Sequence, residues 1–255
     1  MVKKILSDGM GVNSTALMLH LLDKGVEFES VFVNHNGDYP ETYEYCQYLQ
    51  NEGYKITVVK PDVSWKGHFH DIYDYFYFHK SIPFIQWRIC TDKFKIVPFF
   101  KYIEKPAIVY LGYDWGETTR TLNTRPRKNI TFEYPLYNSQ ITREGCKQLI
   151  KEHGLKVPPK SGCYFCPFQS KGEWKRLMVE KPDLFKKALA LEENAGKPGL
   201  YLADKWLRSI YQDNTLDNYT VDNDWECGIG CLIRRKKFTE QLEGSGKMDR
   251  VKTDG

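Results

Sequence analysis

No apolar run in this 255-residue chain approaches the ~20 residues that cross a bilayer, so a membrane-spanning helix is not expected. Met1-Val2-Lys3-Lys4 leads into a strand and not into the apolar core of a signal peptide, which makes the cytoplasm the expected location. Neither G-x-x-x-x-G-K-S/T nor G-x-G-x-x-G occurs, which excludes the Walker loop and the dinucleotide fingerprint. Internal repeats are absent as well, so a solenoid or propeller is not the architecture. Cysteine is present in an odd number, seven. In a cytosolic chain that count points to metal, cluster or redox work before structural disulfides.

What is present is ordinary in bulk and specific in detail. Hydrophobic residues make up 41% and charged residues 27%, as in a soluble globular protein with one full core. The net charge is +4, with basic pieces at Arg125-Pro126-Arg127-Lys128 and Arg234-Arg235-Lys236-Lys237. Such patches permit a nucleic-acid or other polyanionic partner, although a solvated face is the simpler reading of them.

Strand and helix signals alternate. Val2–Leu6, Ser30–Asn34, Lys55–Lys60 and Ile108–Gly112 read as strands. Ala16–Leu22 (closed by Gly25), Glu41–Glu52 and Thr142–Glu152 read as helices. This order predicts right-handed crossovers and an α/β, doubly wound, mainly parallel sheet of Rossmann-like kind. The aromatic run Tyr73–Phe78 is expected to pack against that sheet. Beyond Pro158-Pro159 the pattern changes to a cysteine-rich helical extension, with helices over Trp174–Val179 and Pro182–Asn194. The expected organisation is a nucleotide-binding domain at 1–157, the extension at 158–243 and a polar, disordered tail at 244–255.

The most informative stretch is Gly9-Met10-Gly11-Val12-Asn13-Ser14-Thr15, between the first strand and the first helix. Small residues let a backbone approach phosphates, and a helix start supplies unpaired N–H groups and partial positive charge. A ligand in a doubly wound sheet sits outside the C-terminal ends of the strands. The loop, Asn34–Asp38 and Gly112–Arg120 are all expected there.

These segments resemble the phosphoadenylyl-sulfate (PAPS) reductase branch of the PP-loop ATP pyrophosphatase superfamily. The loop is similar to its S/G-G-G-x-D/N-S-T element, with Asn13 where Asp is usual. Asn34-His35-Asn36-Gly37-Asp38-Tyr39-Pro40-Glu41-Thr42-Tyr43 resembles its D-T-G-x-E-x-P-E-T-Y segment. Leu111–Arg120 resembles a strand followed by G-x-x-x-x-E-x-x-R. The resemblance implies an adenine-nucleotide site at Gly9, Met10, Gly11, Val12, Asn13, Ser14, Thr15, Asn34, Gly37 and Gly112. Arg120 would neutralise phosphate or sulfate oxygens, and Glu117 would orient it.

Two thiols in Ser161-Gly162-Cys163-Tyr164-Phe165-Cys166-Pro167 have the spacing of a metal or cluster knuckle. Cys90, in a segment similar to the family's C-T-x-x-x-K-x-x-P, is a third candidate ligand. Glu226-Cys227-Gly228-Ile229-Gly230-Cys231 resembles the E-C-G-I/L-H tail of sulfonucleotide reductases, with Gly230 in place of the histidine. Cys227 is the expected nucleophile and Cys231 the expected fourth ligand, with the reverse assignment also open. Cys46 and Cys146 are expected to be core residues.

The implied cofactors are ATP or a sulfonucleotide, Mg²⁺, and either a 4Fe-4S cluster or Zn²⁺. The implied partners are a thioredoxin-type reductant or a sulfur donor. Three functions follow as expectations. The first is ATP-dependent adenylation and thiolation of an acceptor. The second is thiol-dependent reduction of PAPS or APS. The third is a non-catalytic nucleotide-binding module.

Overall fold

The computed structural model describes residues 2–64, 66–84, 88–201 and 205–212. Strand β1 (Lys3–Asp8) leads through the glycine loop into helix α1 (Val12–Asp23). Gly25, at φ +65°, takes the left-handed turn that ends this helix. Strand β2 (Glu29–Val33) is followed by α2 (Pro40–Asn51), which starts with Pro40 at N1 and the acidic Glu41 in its first turn.

After β3 (Ile56–Val59) come a short antiparallel pair, β4 (Val63–Ser64) and β5 (His68–Phe69), and helix α3 (Ile72–Phe78). A further helical stretch comprises α4 (Ile89–Thr91), a π turn over Asp92–Ile96, and α5 (Val97–Tyr102). Strand β6 (Ala107–Leu111) precedes α6 (Thr118–Leu122), β7 (Ile130–Glu133), α7 (Pro135–Asn138) and α8 (Arg143–Glu152). Helices α9 (Lys171–Glu180) and α10 (Pro182–Ala195) complete the regular elements.

The five long strands form one parallel sheet in the order β3-β2-β1-β6-β7. This is the α/β arrangement expected from the alternating signals, with β7 added as an edge strand that the sequence reading missed. The strand order reverses between β1 and β6, so a crevice opens at their C-terminal ends.

Alternation along β1 sends Leu6 to one face and Ile5 to the other. On the Leu6 face, α1, α2 and α8 bury Leu17, Leu19, Leu49, Ile150 and the two core cysteines Cys46 and Cys146. On the Ile5 face, Phe99 and Ile103 cover Val31 and Val109.

A second core lies beside the sheet. It joins α3, Phe94, the knuckle aromatics Tyr164 and Phe165, Trp174 and Leu177 of α9, and Phe185 and Leu191 of α10. The aromatic run therefore packs elsewhere than the sequence suggested. It is helical, and a helical period buries Ile72, Tyr75 and Phe76 on one side while leaving Tyr77 and Phe78 exposed. Its partners are the knuckle, α10 and the short strand β5, not the five-stranded sheet.

Candidate functional site

The loop is shaped from beneath. Asp8, at the end of β1, accepts the Met10 N–H through Oδ1 at 2.9 Å and the Ser30 hydroxyl through Oδ2 at 2.9 Å. Burial pushes this carboxyl up, with those hydrogen bonds opposing. Met10 adopts φ +55°, a left-handed position at which the resemblance places glycine, and its side chain is buried in the sheet core. Ser14 Oγ accepts the Gly11 N–H at 3.1 Å, closing the loop on itself. The first-turn N–H groups of Val12, Asn13 and Ser14 have no intrahelical acceptor. A Cβ on Gly9 would meet nothing within 4 Å, whereas one on Gly112 would stand 3.1 Å from the Asn13 carbonyl and the Ser14 nitrogen. Gly112 is thus the residue that lets β6 pass under the start of α1.

Asn13 ties the two sides of the crevice together. Its amide nitrogen donates to Asp114 Oδ2 at 2.9 Å and to Glu117 Oε2 at 3.0 Å, and its carbonyl accepts from Arg143 Nη1 at 2.8 Å. Asp114 Oδ1 accepts the Gly116 N–H at 2.8 Å, and Glu117 Oε1 pairs with Arg120. The Arg120 guanidinium lies 4.4 Å from the centre of the Tyr113 ring, which stacks on Tyr134. All four carboxylate oxygens of this buried acid pair are therefore occupied within the protein. They hold Asn13 and Arg120 in place, and as a donor set for Mg²⁺ they do not fit.

The knuckle reaches the same end of the sheet. Ser161 Oγ would lie 2.9 Å from a Cβ on Gly11, so this hydroxyl sits against the loop. From there the strap pairs with the segment after β2. Tyr39 N–H donates to the Gly162 carbonyl at 2.9 Å, Tyr164 N–H donates to the Gly37 carbonyl at 3.1 Å, and Asp38 and Cys163 form a bridge. Gly37 has no room for a side chain, because Ile72 and Phe165 fill that space. Asn34 caps the turn, its Oδ1 accepting the Asn36 N–H at 2.9 Å.

His35, Asp38 and Cys163 gather there, their ligand atoms within 4.8 Å of one another. The His35 Nδ1 accepts the Gly37 N–H at 3.1 Å, so the proton is on Nε2, which faces Asp38 Oδ2 at 3.3 Å. The Lys95 ammonium stands 3.6 Å from Asp38 Oδ1. A cation would need the lone pair that this tautomer places on the other ring nitrogen, and would meet an ammonium already at the carboxylate. The trio does not fit a metal.

Burial pushes His35 down to about 4, with the Asp38 carboxylate opposing. An unfolded histidine titrates near 6.5. Between these values the unfolded chain binds the proton and the fold does not, so this contribution to stability is full above pH 6.5 and is lost as pH falls towards 4. We expect His35 to make the fold about 2 kcal/mol less stable at pH 5 than at pH 7.5. Urea unfolding of wild type and His35→Gln at both pH values checks this, and parallel pH slopes would refute it.

The remaining expected site residues are distributed as follows. Cys90 lies on α4 and Cys166 ends the knuckle turn; both are half-buried, reduced thiols. Neither joins Cys163 in a group of three ligand atoms within 4.8 Å among the described residues. Cys227, Cys231 and the 234–237 basic run lie outside the described residues, as does the 244–255 tail. Arg125, Arg127 and Lys128 lie between α6 and β7, with the Arg127 guanidinium 4.2 Å from the centre of the Phe100 ring.

No family model and no curated protein matches the chain. Among solved structures, the phosphate complex of phosphoadenylyl-sulfate (PAPS) reductase from Candida auris is similar over 62% of this chain and 76% of that one. The identity is 13% and the TM-score 0.45, a likeness that carries no argument about activity. No described helix is long and apolar enough to cross a membrane.

Sequence reasoning missed several members of the site. Asp114 was legible, since Asp114-x-x-Glu117 has the spacing of a capping box, and both halves of that box are formed. Asp8, Arg143, Ser161 and Lys95 carry no local signal for the site, because each meets a residue distant in the chain, Ser30, Asn13, Gly11 and Asp38 respectively.

Proposed function

We propose that this protein is a nucleotide-dependent enzyme of sulfur chemistry, acting on a sulfonucleotide through thiols. The observation that carries this reading is the strap from Ser161 to Tyr164, which runs from Gly11 of the loop to Cys163 beside Asp38 at the strand ends. The loop takes the phosphate of an adenine nucleotide, and Arg120 and Arg143 flank it with positive charge. In the reaction a thiolate attacks the sulfonyl sulfur. The new S–S bond forms as the S–O bond to the nucleotide phosphate breaks, and a second thiol then releases sulfite and leaves a disulfide. The family resemblance assigns the attacking thiolate to Cys227. A thioredoxin-type dithiol supplies the electrons.

ATP-dependent thiolation of a nucleic acid is the second reading, supported by the Arg125–Lys128 turn beside the sheet edge. The occupied oxygens of Asp114 and Glu117 weigh against it, because α–β cleavage of ATP draws on a bound divalent ion.

Incubation with PAPS, APS or ATP separates the readings: sulfite without ATP use supports reduction, and AMP with pyrophosphate supports thiolation. Nucleotide binding without either product would leave a binding module. Gly9→Ala tests the loop itself. With open space around its Cβ, the variant should melt within about 0.5 kcal/mol of wild type. It should bind nucleotide at least tenfold more weakly by calorimetry. Unchanged affinity would move the site away from the loop.

A further inference from the structure

We propose that Ser161 is a specificity-determining residue of the loop: its hydroxyl holds the second oxyanion of a nucleotide phosphosulfate, on the side of the knuckle. The inference rests on the sulfonucleotide reading and names the group by which the site recognises its substrate.

The polar side chains of the loop are spent inside the protein. The Ser14 hydroxyl has one proton, and gives it to the Gly11 carbonyl at 3.1 Å while the same oxygen accepts the Gly11 N–H. Thr15 is wholly buried, and the Asn13 amide is divided among Asp114, Glu117 and Arg143. What the loop itself offers an anion is therefore backbone N–H at the start of α1, a cradle for one phosphate.

Ser161 supplies from the strap the donor that those side chains withhold. Its Oγ would stand 2.9 Å from a Cβ on Gly11, so the hydroxyl uses the space that the glycine leaves open. Gly11 has φ −108° and ψ 177°, extended backbone that any residue adopts, so space and not conformation is what glycine provides here. Ser161 is half-buried, and among the described residues its hydroxyl has no hydrogen-bond partner, which leaves its proton for an oxyanion. The strap is held in place next to it, where the Tyr39 N–H donates to the Gly162 carbonyl at 2.9 Å. Cys163 follows directly, so a group between the loop and Ser161 lies towards the knuckle. A phosphosulfate meets both elements, with its phosphate on the loop amides and its sulfonate oxygens at Ser161. A monophosphate has no second group to place there.

The test is calorimetry of the full-length protein with APS and with AMP. Wild type should bind APS at least tenfold more tightly than AMP. Ser161→Ala should cut that preference to about threefold or less while AMP affinity stays within about twofold. Gly11→Ala should have the same effect, because its Cβ turns the Ser161 hydroxyl away. In the double variant the Cβ of residue 161 stands 3.9 Å from that of residue 11, an ordinary contact, so the two losses should not add. A Ser161→Ala protein that keeps the wild-type preference would overturn the proposal. So would equal losses of APS and AMP, the mark of a serine that only shapes the loop, and so would additive losses in the double variant. A retained preference leaves the sulfonucleotide reading standing, whereas a wild type that binds neither nucleotide overturns both.

Discussion

Asn13→Asp lowers the unfolding free energy by about 3 kcal/mol or more at pH 7.5, although aspartate is the usual residue at that point of the motif it resembles. The Asn13 amide nitrogen serves two buried carboxylates at once, Asp114 at 2.9 Å and Glu117 at 3.0 Å. An aspartate has no hydrogen to give either of them. It would set a third carboxylate against two that are 1% and 3% exposed. Arg143, already 2.8 Å from the Asn13 carbonyl oxygen, offsets part of that repulsion. The penalty should shrink as pH is lowered, because a protonated aspartic acid regains one donor. Denaturant unfolding at pH 7.5 and pH 5 measures both effects, and an Asn13→Asp variant as stable as wild type would refute the account of the network.

Phe165→Ala should cost about 3–5 kcal/mol, the range for removing a fully buried phenylalanine. The ring makes edge contacts with Tyr73, Phe76 and Tyr164 at centroid distances of 5.9, 6.4 and 4.8 Å, and it also borders Gly37. Its loss loosens the strap while the five-stranded sheet keeps its own two cores. The surroundings of Cys163 and Cys166 should therefore loosen before nucleotide binding fails. Calorimetry with nucleotide alongside the alkylation rate of Cys163 and Cys166 in the variant separates them, and unchanged alkylation with lost nucleotide binding would refute this order.

Much of the frame was legible because local rules agree with the tertiary outcome. Strand signals at Ser30–Asn34 and Ile108–Gly112 match β2 and β6 to within a residue at each end, and the helix signal at Thr142 matches its N-cap role on α8. Edge strand β7 escaped notice because Ile130–Glu133, although it alternates apolar and polar, is only four residues long and is preceded by the basic turn at Arg125–Lys128. The aromatic run was misplaced for a different reason. Tyr73–Phe78 is apolar on nearly every position, so its period is concealed, and which face meets the knuckle depends on residues some ninety positions later.

The sequence by itself determined the alternating α/β frame, the loop between β1 and α1, and the spacing of the two knuckle thiols, because each is set by residues within a turn or two of one another. Only the tertiary structure decided what those groups do. It placed Ser161 against Gly11, brought Asp38 and Lys95 to Cys163, and divided one amide between Asp114 and Glu117. Charge, proton position and reach depend on neighbours across the crevice, and a chain read in order does not contain those distances.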